Sequence, residues 1–304
     1  KTTNLLDHQK LYDALAADQN VGPEQRRLAD IACWDLHARM TGKPLHSLVG
    51  TKRDKVRRYG DVRGKQPDFS SQAYARQVAT YLQRTEMTAT KLHFPGAMGT
   101  ADSIDFDTVK RTLREIRKAT GPEPTLAWDP YPGTAESATP SMEQAREILA
   151  LMTELGYEWI EGPLPPEPQD QQIPKYAELT KIAKIRVQPE GRGGMGDNSD
   201  VDSIRRWIAA GAASQFSTDA YIRDGITPIL RLLDHVRGLP KDKRVTINLH
   251  WSWLPHLHIA TACEAEIMPI LEFPMSHEVP GEYFDKKDHV KAPDWPGLYL
   301  LKTS

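Results

Sequence analysis

Cysteine is nearly absent. Cys33 and Cys263 are the only two in 304 residues, too few for a disulfide framework and not spaced as a zinc-ligand pair. No stretch approaches the ~18 uninterrupted apolar residues that a membrane helix needs, and the opening KTTNLLDHQKLYDAL lacks the apolar centre of a secretory signal. An excess of one charge is also missing. The formal net charge is -2, which excludes the strongly basic face of most nucleic-acid binders. The expectations are therefore a reducing, cytoplasmic compartment and neither nucleic acid nor membrane as partner. No low-complexity segment or internal repeat stands out. What the chain does have is 39% hydrophobic residues and length enough for a sizeable core, and an α/β barrel of about 250 residues is one domain.

The strongest positive signal is alternation. Short apolar or β-branched runs recur at 55–62, 89–94, 125–129, 157–161, 185–190, 213–219, 244–250 and 268–273. Segments with helical periodicity stand between them. In DFDTVKRTLREIRKATG, Val109, Leu113 and Ile116 share a face and Gly121 is placed to end the helix. In PSMEQAREILALMTELG, Ser141 is the expected N-cap and Gly156 the expected C-cap. Further helices are expected near 199–210 and 226–237. Eight such strand–helix units imply a parallel sheet closed into a barrel. An open doubly wound sheet would offer a glycine-rich phosphate loop after its first strand, which YGDVRGKQ is not. Residues 1–50 read as helices, with Leu28, Ile31, Ala32, Asp35 and Leu36 expected on neighbouring faces. The aromatic, proline-rich tail HVKAPDWPGLYLLKTS is expected to pack back onto the chain.

Catalytic groups of an α/β barrel stand where strands end and βα loops begin. From the second strand onward every end is ionisable: Lys91 and His93, then Asp129, Glu161, Glu190, Asp219, His250 and Glu272. Asp129, Glu161 and Glu190 would bring three carboxylates into one small volume, which demands a proton or a cation. An all-oxygen donor set without histidine or thiolate suits a hard divalent ion, magnesium first. Ordinary salt bridges at the rim are the bland alternative. Lys91 and His93, two apart in a strand, face the same side. Lys91 could bind a carboxylate, act as a base, or merely neutralise the acids. An aspartate beside a histidine, Asp219 with His250, fixes the ring's tautomer as a general base requires. Glu272 is a weaker candidate, since ILEF could carry a rim acid. His256 and His258 imitate a His-x-His metal pair, but after Pro255 they open a helix, where positions i and i+2 diverge. GRGGMG (191–196) reads as a flexible loop, and most of the tryptophans as packing.

The order Lys-x-His, Asp, Glu, Glu, Asp, His, Glu on successive strands resembles the enolase superfamily, within its mandelate racemase and muconate lactonizing enzyme group. LADIACWDLHARMTGKPLHSLVG resembles the helical end of that family's capping domain, and APDWPGLYL the segment that returns to it. The resemblance implies a modified TIM barrel, (β/α)7β, over residues 53–276. It implies a partial α+β capping domain from residues 1–52 and 277–304. It assigns Mg2+ to Asp129, Glu161 and Glu190, a dyad to Asp219 and His250, and contact with the substrate carboxylate or enediolate to Glu272. His93 stands where the family commonly has a second lysine, which weakens a two-base racemase mechanism. The family's cap also has a β-rich part whose loops close over the substrate, and the expectation is that this part is absent from the sequence given or was lost from it.

The expected reaction is Mg-dependent removal of the α-proton of a small carboxylate, with the ion stabilising negative charge on the carboxylate oxygens, a known arrangement of enolase-type sites. Loss of a β-hydroxyl, protonated by His250 or His93, would make it a lyase (dehydratase) acting on a sugar acid. Racemisation or epimerisation is the same-fold alternative. A metal-dependent hydrolase would need His-x-His on the first strand, which YGDVRG lacks, and a non-catalytic metal-binding barrel is the non-enzymatic alternative. A homo-oligomer is expected.

Overall fold

The computed structural model describes residues 6–63, 70–94, 106–130, 140–165, 167–189, 201–223, 225–273, 281–285 and 288–298. Three helices come first: α1 (His8–Ala17), α2 (Pro23–Thr41) and α3 (Leu45–Val49). Strands and helices then alternate as β1 (Val56–Arg63), α4 (Ser71–Thr85), β2 (Ala89–His93), α5 (Phe106–Thr120), β3 (Thr125–Trp128), α6 (Met142–Glu154) and β4 (Trp159–Glu161). The pattern continues with α7 (Gln169–Ile182), β5 (Arg186–Gln188), α8 (Val201–Ala209), β6 (Gln215–Thr218), α9 (Ile226–Gly238), β7 (Thr246–Leu249), α10 (Leu254–Thr261) and β8 (Leu271–Glu272). Two short strands follow, β9 (Phe284–Asp285) and β10 (His289–Val290).

Six strands pair in parallel in the order β8-β1-β2-β3-β4-β5, and β6 pairs in parallel with β7. Hydrogen bonds flank the β6–β7 pair on both sides. Ser214 N donates to Val187 O at 3.1 Å, towards β5, and Ile247 N donates to Ile267 O at 2.8 Å, just ahead of β8. The β10 strand runs antiparallel to the start of β1, pairing Val56 with Val290. The architecture is thus a mixed α/β fold on a curled parallel sheet. Among the described residues no helix is long and apolar enough to cross a membrane.

Side chains of a strand alternate between its two faces, and that period separates two cores. Val62, Leu92, Leu126, Trp128, Ile160 and Val187 pack against the helices. Tyr59, Ala89, Ala127, Trp159 and Ile270 form a smaller cluster of their own, with Tyr59 and Trp159 edge to face at 5.2 Å. The positions two residues further along, Asp61, Lys91, Asp129, Glu161 and Glu272, continue the face of the small cluster towards the strands' C-terminal ends. An apolar floor therefore lies beneath an ionisable layer.

The helices follow local chemistry. Val109, Leu113 and Ile116 of α5 are fully buried, and Gly121 ends the helix at φ 76. Ser141 and Gln144 form a reciprocal capping box on α6, and Gly156 follows its end at φ 67. The expected face of α2 needs correction. Leu28 and Leu36 are exposed, and Ala32 is exposed as well; the buried residues are Asp30, Ile31, Trp34 and Ala38. Apolar periodicity misplaced the face because the residue that turns it inward is an acid.

The Asp30 side chain caps the start of a helix almost two hundred residues away. Its Oδ2 accepts the N–H groups of Ile226 and Thr227 at 2.7 and 2.8 Å, and Thr227 Oγ1 donates to Oδ1 at 2.5 Å. Trp34 Nε1 donates to Thr227 Oγ1 at 2.9 Å. The residue before α9, Gly225, has φ 86, and a Cβ there would lie 2.8 Å from Asp30 Oδ2, so the cap needs glycine at that place. Asp30→Ala leaves two buried amides and a hydroxyl unpaired. We expect it to cost about 2–4 kcal/mol in urea unfolding, with hydrogen exchange quickening first at Ile226 and Thr227.

His258 supplies a pH-dependent contribution to stability. It is fully buried on α10 and stacks on His46 at 5.3 Å. Burial, then the neighbouring His46, lowers its pKa from 6.5 to about 3. A folded value below the unfolded one favours the neutral ring, so its contribution is complete above pH 6.5 and is lost as pH falls from there towards about 3. The midpoint of thermal unfolding should decline over that window, and His258→Phe should flatten the decline.

Candidate active site

The ionisable face described above opens into a cavity of about 350 Å³. Its walls come from four directions: Asp61 and Arg63 on β1, Lys91 and His93 on β2, Asp129 and Glu161 at β3 and β4, and Ser217, Arg223, His250, Trp251 and Trp253 around the ends of β6 and β7, with Glu272 on β8. Seven of the eight residues expected from the strand ends are described, and all seven except Asp219 line this cavity. Asp219, wholly buried, stands directly behind His250. Glu190 lies outside the described residues.

Lys91 is at the centre of the acidic side. Its Nζ is 2.9 Å from Glu161 Oε2, 3.3 Å from Glu272 Oε2 and 3.5 Å from Asp129 Oδ2. Burial opposes its charge, but Glu161, Glu272 and Asp129 prevail and hold the ammonium well above the usual lysine range. Glu161 is lowered, since Lys91 outweighs the effect of burial. Asp129 is not fully compensated. Burial, with Glu161 adding to it, pushes its carboxyl up to about 6 against the opposing pull of His93 and Lys91.

Beneath Lys91 lies a neutral clamp. Tyr59 donates its hydroxyl proton to Glu272 Oε2 at 2.9 Å, and Asn248 Nδ2 donates to the Tyr59 oxygen at 2.5 Å. Burial raises the Tyr59 phenol well above its ordinary value, so it stays a donor.

His93 stands between two acids. Nε2 is 2.8 Å from Asp61 Oδ1 and Nδ1 is 3.4 Å from Asp129 Oδ2. Burial disfavours the charged ring, yet Asp129 and then Asp61 raise its pKa overall. Asp61 itself is lowered to about 2, because contacts with His93 outweigh its burial. Strand-end reasoning began at the second strand and so missed Asp61, although applying the same rule to YGDV on β1 would have found it.

On the opposite wall Asp219 Oδ2 lies 3.1 Å from His250 Nδ1. Trp253 Nε1 donates to the same oxygen at 3.3 Å, and Oδ1 accepts the amides of Tyr221 and Ile222 at 2.7 and 2.8 Å. Asp219 is lowered, as hydrogen bonds from His250 and the Ile222 amide outweigh its burial. With Nδ1 engaged, proton exchange at His250 falls to Nε2. Trp253 was not singled out from the sequence, where an isolated tryptophan carries no signal of this kind.

The donors present fit a hard cation. Asp129 and Glu161 offer carboxylate oxygens from adjacent strands, no thiolate stands among them, and the raised Asp129 carboxyl marks negative charge that Lys91 and His93 leave uncovered. Among the described residues no group of three or more His, Cys, Asp or Glu side chains is arranged to hold a metal.

A curled parallel α/β sheet with an ionisable cavity at the C-terminal ends of its strands is the arrangement in which many α/β enzymes build their sites. The model of the enolase C-terminal domain-like family matches residues 73–299, and the chain belongs to that family. Solved structures agree on the fold. D-glucarate dehydratase from Agrobacterium tumefaciens, complexed with magnesium, is 22% identical with a TM-score of 0.76 over 98% of this chain and 77% of that one. L-talarate dehydratase from Polaromonas sp. JS666, complexed with Mg and L-glucarate, is 21% identical with a TM-score of 0.75 over 99% and 78%. Dipeptide epimerase from Cytophaga hutchinsonii, complexed with Mg and D-Ala-L-Val, is 18% identical with a TM-score of 0.72 over 99% and 77%. No curated protein sequence matches the chain.

Lys91→Met would leave three buried carboxylates without their cation. We expect a loss of about 3–5 kcal/mol in chemical unfolding. The freed carboxyls would lie above their ordinary range, so the deficit should grow as pH rises and they are forced to ionise.

Proposed function

We propose that the chain removes the α-proton of a carboxylate substrate and eliminates a β-hydroxyl, making it a lyase that converts a sugar acid to a 2-keto-3-deoxy acid. The observation that carries this reading is the asymmetry of charge across one cavity. On the β2 wall Lys91 and His93 both stand within 3.5 Å of carboxylates that favour their charged forms. Across from them His250 is tied to Asp219 through Nδ1 and keeps Nε2 for accepting a proton. Elimination needs one base and one acid in fixed roles, whereas two-base racemisation needs each group to serve as base in one direction and as acid in the other. Carboxylates that favour the charged forms of the β2 pair suit a fixed acid and support the first.

In this reading Asp129 and Glu161, joined by Glu190, hold Mg2+. When bound, the ion supplies positive charge to the substrate's carboxylate oxygens as the α-carbon loses its proton. His250 takes that proton, and Asp219 stabilises the imidazolium that results. His93 gives its proton to the departing hydroxyl, which leaves as water. Glu272, set by Tyr59 and Lys91, faces the substrate carboxylate or enediolate and accepts a hydrogen bond from it once that group carries a proton. The polar rim formed by Arg63, Arg223 and Ser217 suits a hydroxylated acid better than an apolar one. The magnesium-containing dehydratases among the similar structures lend support to the same chemistry.

The scaffold we propose for it is a closed (β/α)7β barrel over residues 53–276, supported by the hydrogen bonds on both flanks of the β6–β7 pair. Residues 1–52 and 277–304 would form an accessory layer. The amide of Leu298 donating to Asp35 Oδ1 at 2.6 Å and the bridge between Pro44 and Gly297 support that grouping.

A panel of sugar acids incubated with Mg2+ should yield a keto acid from at least one member, and a chelator should abolish the product. His250→Gln should lower the rate about 10²–10⁴-fold with little change in thermal stability. If acids instead exchange their α-proton in deuterated water and lose no hydroxyl, the racemase reading replaces this one.

A further inference from the structure

The turn after β7 holds a residue in a rare conformation. Trp251, immediately after His250, has φ 72, a left-handed value that bulky residues adopt only when surrounding structure enforces it. Its carbonyl oxygen is 3.2 Å from Nδ1 of His256. The other ring nitrogen of His256, Nε2, lies 2.8 Å from the backbone nitrogen of Ala220. A backbone amide can only donate and a carbonyl can only accept. The partners therefore fix the ring as neutral, with its proton on Nδ1 donated to Trp251 and its lone pair on Nε2 accepting from Ala220.

The two anchor points matter because of what precedes them. Ala220 follows Asp219, and Trp251 follows His250. One fully buried ring on α10 thus joins the residue after the acid of the dyad to the residue after its histidine, while the dyad itself spans only 3.1 Å. Asp219 Oδ1 is 3.7 Å from Nε2, but that oxygen already accepts two amides, and the lone pair on Nε2 offers it no proton. The ring does not line the cavity. Its neighbour His258 turns away to stack on His46, so the two histidines do not share a ligand position.

We propose that His256 is a positioning residue that sets the separation of the β6 and β7 turns and thereby aligns Asp219 with His250. The proposal rests on the dyad's role in the proposed reaction. Loss of the bracket frees Trp251 to relax from its left-handed turn, and His250, one residue before it, turns with it.

Three full-length forms test this: wild type, His256→Phe, which fills the space but removes both hydrogen bonds, and His256→Gln, whose amide oxygen can still accept from Ala220. Amide hydrogen exchange at Ala220 and the Nδ1 proton resonance of His250 are read in the resting protein, and steady-state kinetics with Mg2+ and a turned-over acid follow. In His256→Phe, Ala220 should exchange at least about tenfold faster and the His250 resonance should be lost. kcat should fall about 10–100-fold, the cost of a small misalignment, with KM changed by less than about threefold. His256→Gln should restore the protection, the resonance and most of kcat. The proposal is overturned if all three forms protect Ala220 and show the His250 resonance equally, or if the phenylalanine and glutamine variants lose kcat alike although only glutamine protects Ala220. A wild type that turns over no acid would refute the dehydratase reading, and the two resting-state measurements would still decide whether the ring aligns the pair.

Discussion

The ion cluster around Lys91 is the constraint on which the site depends. Asp129, Glu161 and Glu272 reach one point from three strands, each with a carboxyl almost removed from water. Leaving buried charges uncompensated costs several kcal/mol each, so the sheet can bring those acids together only because an ammonium stands among them. The cluster also explains why its floor is neutral. Tyr59 and Asn248 donate hydrogen bonds without adding charge, which holds Glu272 in place and leaves Lys91 shared among the acids. The compensation is incomplete at Asp129, and that shortfall is what makes the proposed cation a natural occupant.

The helices at the start of the chain bear on the same site through a different route. Asp30 caps α9, and α9 begins at the end of the short loop that starts with Asp219. Fixing the first turn of α9 therefore fixes one end of that loop, while the paired amides of Tyr221 and Ile222 fix the other end onto Asp219 itself. A carboxylate on an apparently peripheral helix is in this way only one loop removed from the proposed dyad. The cap is worth more here than on an exposed helix, because its partners are buried and have no water to turn to.

Much of this was legible in the sequence, for reasons that can be named. The parallel strands announced themselves by apolar runs at regular intervals. The site residues followed from the period of two, which fixes which side chains share a face once a strand end is located. Gly121, Ser141 and Gly156 were legible because caps are local chemistry. Pairings across long stretches of chain were not. Asp30 spoiled the periodicity of α2, since its partner is almost two hundred residues away and only that partner makes a buried acid reasonable. Asp61 looked ordinary until β2 placed His93 beside it. The Tyr59–Asn248 contact joins β1 to β7 and leaves no mark in either segment alone. The spacing argument that set His256 apart from a metal-binding pair gave no hint that its ring would connect two turns.

The histidine at position 93 changes what the wall can do. A lysine there would be a single point charge at the end of a flexible stem. An imidazole has two nitrogens in fixed directions, and in this cavity each meets a different carboxylate, Asp61 on one side and Asp129 on the other. The ring cannot rotate without losing one of them, so its orientation is set more firmly than an alkylammonium's would be. Asp61 is lowered to about 2 and is ionised throughout the neutral range, so its hold on the ring does not lapse at physiological pH. A proton held this way is given up only when another group takes the charge or the proton itself. In the proposed reaction the departing hydroxyl is that group, and the proton's direction of travel is away from the β2 wall. The opposite wall, where His250 has one nitrogen fixed and the other available, runs the transfer in the reverse sense, and elimination requires that pairing of opposite roles within a single cavity.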